Sequence, residues 1–149
     1  MKKITVVEVK VEKHRSVLTQ IPMESVSKPE DVALIMTDFI GNSDREHMVV
    51  MTLNTKNSIN AIHTVSIGTL NASIVHPRDV FKVAILTNAA SIIICHNHPS
   101  GDPSPSIEDR DVTSRIYEAG KIIGIELVDH SIVSDNKDKY LSFKEKGLL

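Results

Sequence analysis

Two short runs set the first limit on how this chain can fold. In residues 46–53 apolar side chains occupy both alternating sets, Met48 and Val50 on one and Val49, Met51 and Leu53 on the other. Successive side chains of a strand point to opposite faces, so such a run has to be covered on both sides. Ser91-Ile92-Ile93-Ile94-Cys95 makes the same demand. The rest of the chain must therefore supply layers against a sheet.

The covering helices are legible. Val32, Ile35, Met36, Phe39 and Ile40 recur at i, i+3, i+4, i+7 and i+8, one face of a helix. Ser27 and Glu30 fit a capping box with Pro29 in the first turn, and Gly41-Asn42 ends the pattern. A second helix is predicted over 78–88, opened by Pro77, with Val80, Phe81, Ala84 and Thr87 inward. A third runs from Ile107 to Ala119 and stops at Gly120. Further strands are predicted at 59–63 and 65–70, completing a meander, and at 122–128 and 131–133, before a polar turn over 134–139. Residues 4–12 set Val7, Val9 and Val11 against Glu8, Lys10 and Glu12, the pattern of a half-buried strand. A less regular stretch leads from there to Ser27. The order is mixed, so the fold class is α+β, with helices flanking one curved mixed sheet. The expected division is an N-terminal strand-like extension over 1–27 and one domain over 28–149.

Composition narrows the function classes. The 149 residues suit a single domain. Seventeen Lys plus Arg against nineteen Asp plus Glu leave a net charge of -2, which gives no general attraction to phosphate backbones or anionic membranes. Lys137, Lys139, Lys144 and Lys146 form the basic cluster. Three Phe, two Tyr and no Trp make a poor stacking platform for single strands. The lone Cys95 excludes an internal disulfide. No apolar run approaches the roughly 20 residues of a membrane span, and Glu8 and Lys10 interrupt any signal-peptide core. A cytoplasmic, soluble protein with no membrane partner is the expectation.

The chemistry concentrates after the second buried run, in His96-Asn97-His98-Pro99-Ser100-Gly101-Asp102-Pro103-Ser104-Pro105-Ser106-Ile107-Glu108-Asp109. Along an extended chain His96 and His98 project one way, Cys95 and Asn97 the other. Two imidazoles at a strand end suit a shared Zn²⁺, although His-x-His also occurs as two polar residues at a strand terminus. Asp109 adds weight. It heads the helical stripe of Val112, Ile116 and Ala119, and a carboxylate facing a core has to be paired, hydrogen-bonded or metal-bound. Ser106 and Asp109 also fit a capping box. Capping does not explain two histidines delivered to the same helix end by a loop with three prolines. Two histidines and a carboxylate leave a fourth tetrahedral position for water, as in catalytic zinc sites. A nearby carboxylate would act as general base, and the Ser106 hydroxyl would stabilise an oxyanion.

His96, His98, Ser106 and Asp109 match the JAMM (MPN+/JAB) metalloprotease motif: His-x-His, seven residues, Ser, two residues, Asp. More narrowly, the chain resembles the RadC family of bacterial JAB-domain proteins. Supporting segments are Gly68-Thr69-Leu70-Asn71, His76-Pro77-Arg78-Asp79-Val80-Phe81, Pro105-Ser106 and Asp129-His130. The resemblance runs from about Pro29 to the C-terminus. It implies a cytidine-deaminase-like α/β/α core, a zinc ion held by His96, His98 and Asp109, Ser106 near the bound water, and Glu46 as general base. Spacing alone does not choose Glu46 among nine glutamates. The family's hydrolases cleave peptide or isopeptide bonds, so a protein or peptide substrate is implied. RadC proteins have also been linked to DNA repair. Longer members carry an N-terminal helix-hairpin-helix region where this chain has its strand-like segment, whose partner is open, a second copy in a homo-oligomer being one answer.

Three functions are thus set against each other. The first is a zinc-dependent amide or isopeptide hydrolase. The second is a DNA-associated repair or replication module, against which the lack of a basic stripe counts. The third is a deaminase, against which the lack of paired ligand cysteines counts. Cys95 reads as a buried inert thiol, His47 as a packed or edge histidine, Asp102 as a loop residue that either lines the site or serves only the turn, and Asp129-His130 as a polar pair at a strand start.

Overall fold

A computed structural model describes residues 1–16, 25–70 and 74–149. The elements in chain order are α1 (Pro29–Ile40), β1 (His47–Leu53), β2 (Ile59–Ile67), α2 (Pro77–Leu86), β3 (Ser91–Asn97), α3 (Ile107–Ile123), β4 (Glu126–Val133) and β5 (Leu141–Ser142). The five strands form one sheet in the order β2-β1-β3-β4-β5. β1 runs antiparallel to β2 and β3, β3 runs parallel to β4, and β4 antiparallel to β5. The mixed sheet with its three helices is the expected α+β architecture.

The doubly apolar runs are the two interior strands, each buried nearly end to end. Met48 and Val50 of β1, with Ile92 and Ile94 of β3, pack against Val80, Phe81 and Ala84 of α2 and Val112 and Ile116 of α3. The opposite set, Val49, Met51, Leu53, Ile93 and Cys95, packs against Val32, Ala33, Ile35, Met36 and Ile40 of α1. One helix thus lies on one face and two on the other. Burial of these side chains, worth about 1.5–3 kcal/mol each, is what holds the layers together.

Several boundaries differ from the sequence expectation, each for a local reason. The cap of α1 is shifted: Lys28 is the N-cap residue, and Asp31 rather than Glu30 closes the turn, its Oδ2 accepting from the Ser27 and Lys28 amides at 2.9 and 3.1 Å. The two strands expected over 59–70 are one, β2, and the two expected over 122–133 are one, β4. Both contain a bulge. Met48 pairs with Ser66 but Val49 with Thr64, and Ile92 pairs with Leu127 but Ile93 with Asp129. The extra residues, Val65 and Val128, reverse the alternation and mimic a break. Ile122 and Ile123 belong to α3, which runs through Gly120 and ends at Gly124, φ +83°. Gly120 is there for space: a Cβ would lie 2.5 Å from the Ile125 carbonyl oxygen.

Residues 1–16 belong to no helix or strand and are exposed throughout. The half-buried strand expected over 4–12 is therefore not formed. Val7 and Val9 are 72% and 70% exposed, because alternation creates a strand only where a partner edge accepts it. The part of the extension over 17–24, and Asn71 of the Gly68–Asn71 segment, lie outside the described residues. Among those described, no helix is long and apolar enough to cross a membrane.

Candidate metal centre

β3 ends where the crossover to the parallel strand β4 begins, and the site is built at that end. Its even-numbered side chains face α2 and α3, so His96 follows Ile92 and Ile94 onto that face and His98 follows His96. The loop to Ser106 then brings the start of α3 back over them. Asp109, 2% exposed, lies on the inward stripe with Val112, Thr113 and Ile116. Its neighbours Glu108 and Asp111 are exposed.

The three side chains converge. His96 Nε2 lies 3.1 Å from Asp109 Oδ1, His98 Nε2 lies 3.2 Å from Asp109 Oδ2, and the two Nε2 atoms are 2.9 Å apart. Among the described residues this is the cluster able to hold a metal ion, with one ligand atom from each residue all within 4.8 Å of one another.

Hydrogen bonding shows what those atoms carry. His98 Nδ1 is 2.7 Å from the Asp102 carbonyl oxygen. A carbonyl only accepts, so Nδ1 bears the proton and, in the neutral ring, Nε2 bears a lone pair. Asp109 Oδ2 already accepts from the Ser106 amide at 2.8 Å, and Ser106 Oγ accepts from the Asp109 amide at 3.0 Å. The capping box is real and coexists with the cluster. Electron pairs of two carboxylate oxygens and an imidazole thus face one another in a buried space, which calls for a cation. A divalent ion fits that donor set. A proton is the alternative occupant. Burial lowers the His98 pKa, but the Asp109 carboxylate, the Asp102 carbonyl and the Glu46 charge outweigh it and leave it raised. Asp109 moves the opposite way. Burial raises it, yet the hydrogen bonds and charge of His96, with His98 and the Ser106 amide, hold it well below the usual carboxylate range.

Glu46 sits just ahead of β1. Its charge acts on His98. Its Oε2 accepts from the Leu70 amide at 2.9 Å, and its carbonyl accepts from Gly68 at 2.8 Å. Ser106 is exposed at the N-cap of α3. Its oxygen accepts from the Asp109 amide, which leaves the hydroxyl proton able to donate.

Some supporting residues escaped the sequence reading. Asn97 is buried at the end of β3. Its Oδ1 accepts from His47 N at 2.7 Å and its Nδ2 donates to the Arg45 carbonyl at 3.0 Å. It therefore clamps the backbone on both sides of Glu46. His130 lies on β4, fully buried, with Nε2 2.7 Å from His96 Nδ1. Its Nδ1 is 2.5 Å from Thr113 Oγ1, which donates to the Asp109 carbonyl at 2.7 Å. His130 is thus no strand-start residue, and a histidine in the apolar stretch 125–133 was the signal available. Burial, with charge on His96 acting the same way, holds its pKa well below the ordinary imidazole value. Asp129 faces away from the centre. Its carboxylate accepts from the Ser142 hydroxyl at 2.5 Å and the Lys144 amide at 3.0 Å, anchoring β5 and the C-terminal turn.

Cys95 is fully buried on the α1 side, and its thiol pKa is pushed up by burial, as an inert core thiol requires. Asp102 serves twice: its side chain accepts from the Ser104 amide at 2.9 Å while its carbonyl holds His98. Its loop forms one wall of an open cleft of about 1060 Å³, the turn over 135–139 the other.

Comparison with known proteins agrees with this geometry. The family model described as RadC-like JAB domain matches residues 26–148. A UPF0758 protein of Desulforamulus reducens is 52% identical over 135 residues, covering 89% of this chain and 59% of that protein. Others from Rubrobacter xylanophilus and Caldanaerobacter subterraneus are each 54% identical over 83% of the chain, covering 53% and 52% of their own lengths. The chain therefore spans little more than half the length of these relatives. With the match running from Val26 nearly to the C-terminus and the His-His-Asp cluster assembled at the end of β3, the chain belongs to the RadC-like JAB domain family.

Proposed function

We propose that this domain is a zinc-dependent hydrolase that cuts an amide or isopeptide bond in a protein or peptide. The observation that carries the reading is the convergence of His96 Nε2, His98 Nε2 and the Asp109 carboxylate within 4.8 Å, with the Glu46 charge acting on His98.

A zinc ion held by His96, His98 and Asp109 would supply Lewis acidity and lower the pKa of a water molecule to about 7. The chain's own residues do the rest. Glu46 takes the proton of the attacking water and returns it to the departing amine, a role typically worth ~10²–10⁴ in rate. The Leu70 amide holds one of its oxygens in place. The Ser106 hydroxyl donates toward the oxygen of the cleaved carbonyl. Asp109, held ionised by its two histidines and the Ser106 amide, keeps a negative charge where a cation belongs. The cleft beside the Asp102 loop offers room for a polypeptide.

The test combines metal analysis with hydrolysis of quenched fluorescent peptide and isopeptide-linked libraries. Wild-type protein is expected to hold one zinc ion per chain and Asp109→Ala essentially none. Glu46→Gln should keep its zinc and lose at least ~100-fold in turnover. Zinc-free wild-type protein after loading, or an active Glu46→Gln variant, would refute the reading.

A further inference from the structure

We propose that Thr113 and His130 form a hydrogen-bonded relay that locks His96 in its Nδ1–H tautomer, so that Nε2 presents a lone pair to Asp109. The inference rests on the zinc-hydrolase reading for its purpose, because only a bare Nε2 can ligate a metal.

The direction of the relay comes from donors and acceptors. The Asp109 backbone carbonyl can only accept, so the 2.7 Å contact from Thr113 Oγ1 uses the hydroxyl's single proton. Thr113 Oγ1 must then accept from His130, which places the His130 proton on Nδ1. His130 Nε2 is left with a lone pair, and the 2.7 Å contact to His96 Nδ1 needs a proton from His96. In the neutral ring, His96 therefore carries its proton on Nδ1 and a lone pair on Nε2. The reverse direction would leave Thr113 Oγ1 facing the Asp109 carbonyl at 2.7 Å with no proton between them.

Position supports the assignment. Thr113 is 2% exposed, and His130 and His96 are fully buried, so no solvent molecule competes for these contacts. Phe143 stacks on the His130 ring at 4.5 Å between centroids and 16° between planes, and its amide donates to the His130 carbonyl at 2.9 Å. The bulge at Val128 turns His130 onto the face of His96, in the row of Ile94. Asp109 is engaged at both ends: its side chain faces His96 and its carbonyl terminates the relay that orients the same ring. Thr113 and His130 act through His96 and are positioning residues.

Tautomers are read directly by long-range ¹H–¹⁵N correlation of ¹⁵N-histidine-labelled, metal-free protein at neutral pH. Zinc affinity is read by competition with a chromophoric chelator. In the wild-type protein both His96 and His130 should be protonated on Nδ1. Thr113→Val, nearly isosteric, should shift the His96 proton toward Nε2 and weaken zinc binding ~10–100-fold, the usual effect of losing a partner that orients a ligand. Thr113→Ser, which keeps the hydroxyl, should restore both to near wild-type. A wild-type His96 protonated on Nε2 alone overturns the relay, and so does a folded Thr113→Val with unchanged tautomer and affinity. Should Thr113→Val fail to fold, the wild-type spectrum decides alone. The expected tautomers in a protein that refuses zinc would support the relay while removing the hydrolase reading. An unchanged tautomer together with unimpaired zinc binding in Thr113→Val would remove the relay and leave that reading intact.

Discussion

Asn97 does for Glu46 what the Asp102 carbonyl does for His98: it fixes a functional group by holding the backbone or ring behind it. Asn97→Ala leaves the His47 amide and the Arg45 carbonyl without their partner, at about 1–3 kcal/mol for each group that stays buried. The expected result is a folded but less stable protein that binds zinc as wild-type does yet turns over at least ~10-fold more slowly, because the Glu46 backbone is no longer clamped. Calorimetric zinc titration beside a rate assay separates the two effects, and a loss of zinc affinity equal to the loss of rate would contradict the argument. His130 supports a pH prediction. Its folded pKa lies below the ordinary value near 6.5, so unfolding takes up a proton in acid. The stability it contributes is present above pH ~6.5 and is lost as pH falls, by at most ~1.4 kcal/mol per pH unit. His98, raised, works in the opposite sense and loses its contribution as pH rises through its folded pKa. Urea unfolding of metal-free protein between pH ~6.5 and ~5 should therefore show a shallower decline for His130→Asn than for wild-type. At this scale His96, His98 and Asp109 were legible, since strand parity and helical periodicity are local. Thr113, His130 and Asn97 were not, since their partners lie 17, 34 and 50 residues away in sequence.

The elements show the same division. Gly120 looked like a helix stop because glycine is the usual residue past a helix end. In the structure it lies inside α3, where a Cβ would meet the Ile125 carbonyl oxygen at 2.5 Å and the Phe81 ring at 3.3 Å. Gly→Ala inside a helix ordinarily stabilises by roughly 0.5–1 kcal/mol. Gly120→Ala is expected to reverse that sign and destabilise by about 1–3 kcal/mol through overpacking, measured by thermal or urea unfolding. A variant more stable than wild-type would show that α3 can move off β4. The bulges carry the complementary lesson. Interrupted alternation at Val65 and Val128 reads as two strands each time, yet the strands continue with their faces exchanged. For β4 that exchange has chemical consequence, since it brings His130 to the face of His96 while Asp129 turns to Ser142 and Lys144.

At the scale of the molecule, among the described residues one sheet and three helices carry the core, and residues 1–16 add no helix or strand to it. Arg15 does lie over the Phe39 ring, 5.3 Å from its centroid. Deleting residues 1–12, which leaves that contact in place, should change the unfolding free energy by no more than ~0.5 kcal/mol, as for surface changes remote from the core. A larger loss in urea unfolding would mean that the Val7, Val9 and Val11 face has found a partner. The chain alone determined that two strands would be covered on both faces, that helices would flank them, and that His96, His98 and Asp109 would face one way. Each of those properties repeats with the period of a strand or helix and needs no distant partner. Tertiary structure alone decided that α1 would take one face and α2 and α3 the other, that the Glu46 charge would act on His98, and that Thr113 and His130 would back His96. Those outcomes depend on strand order and register, which are settled by contacts between segments far apart in the chain.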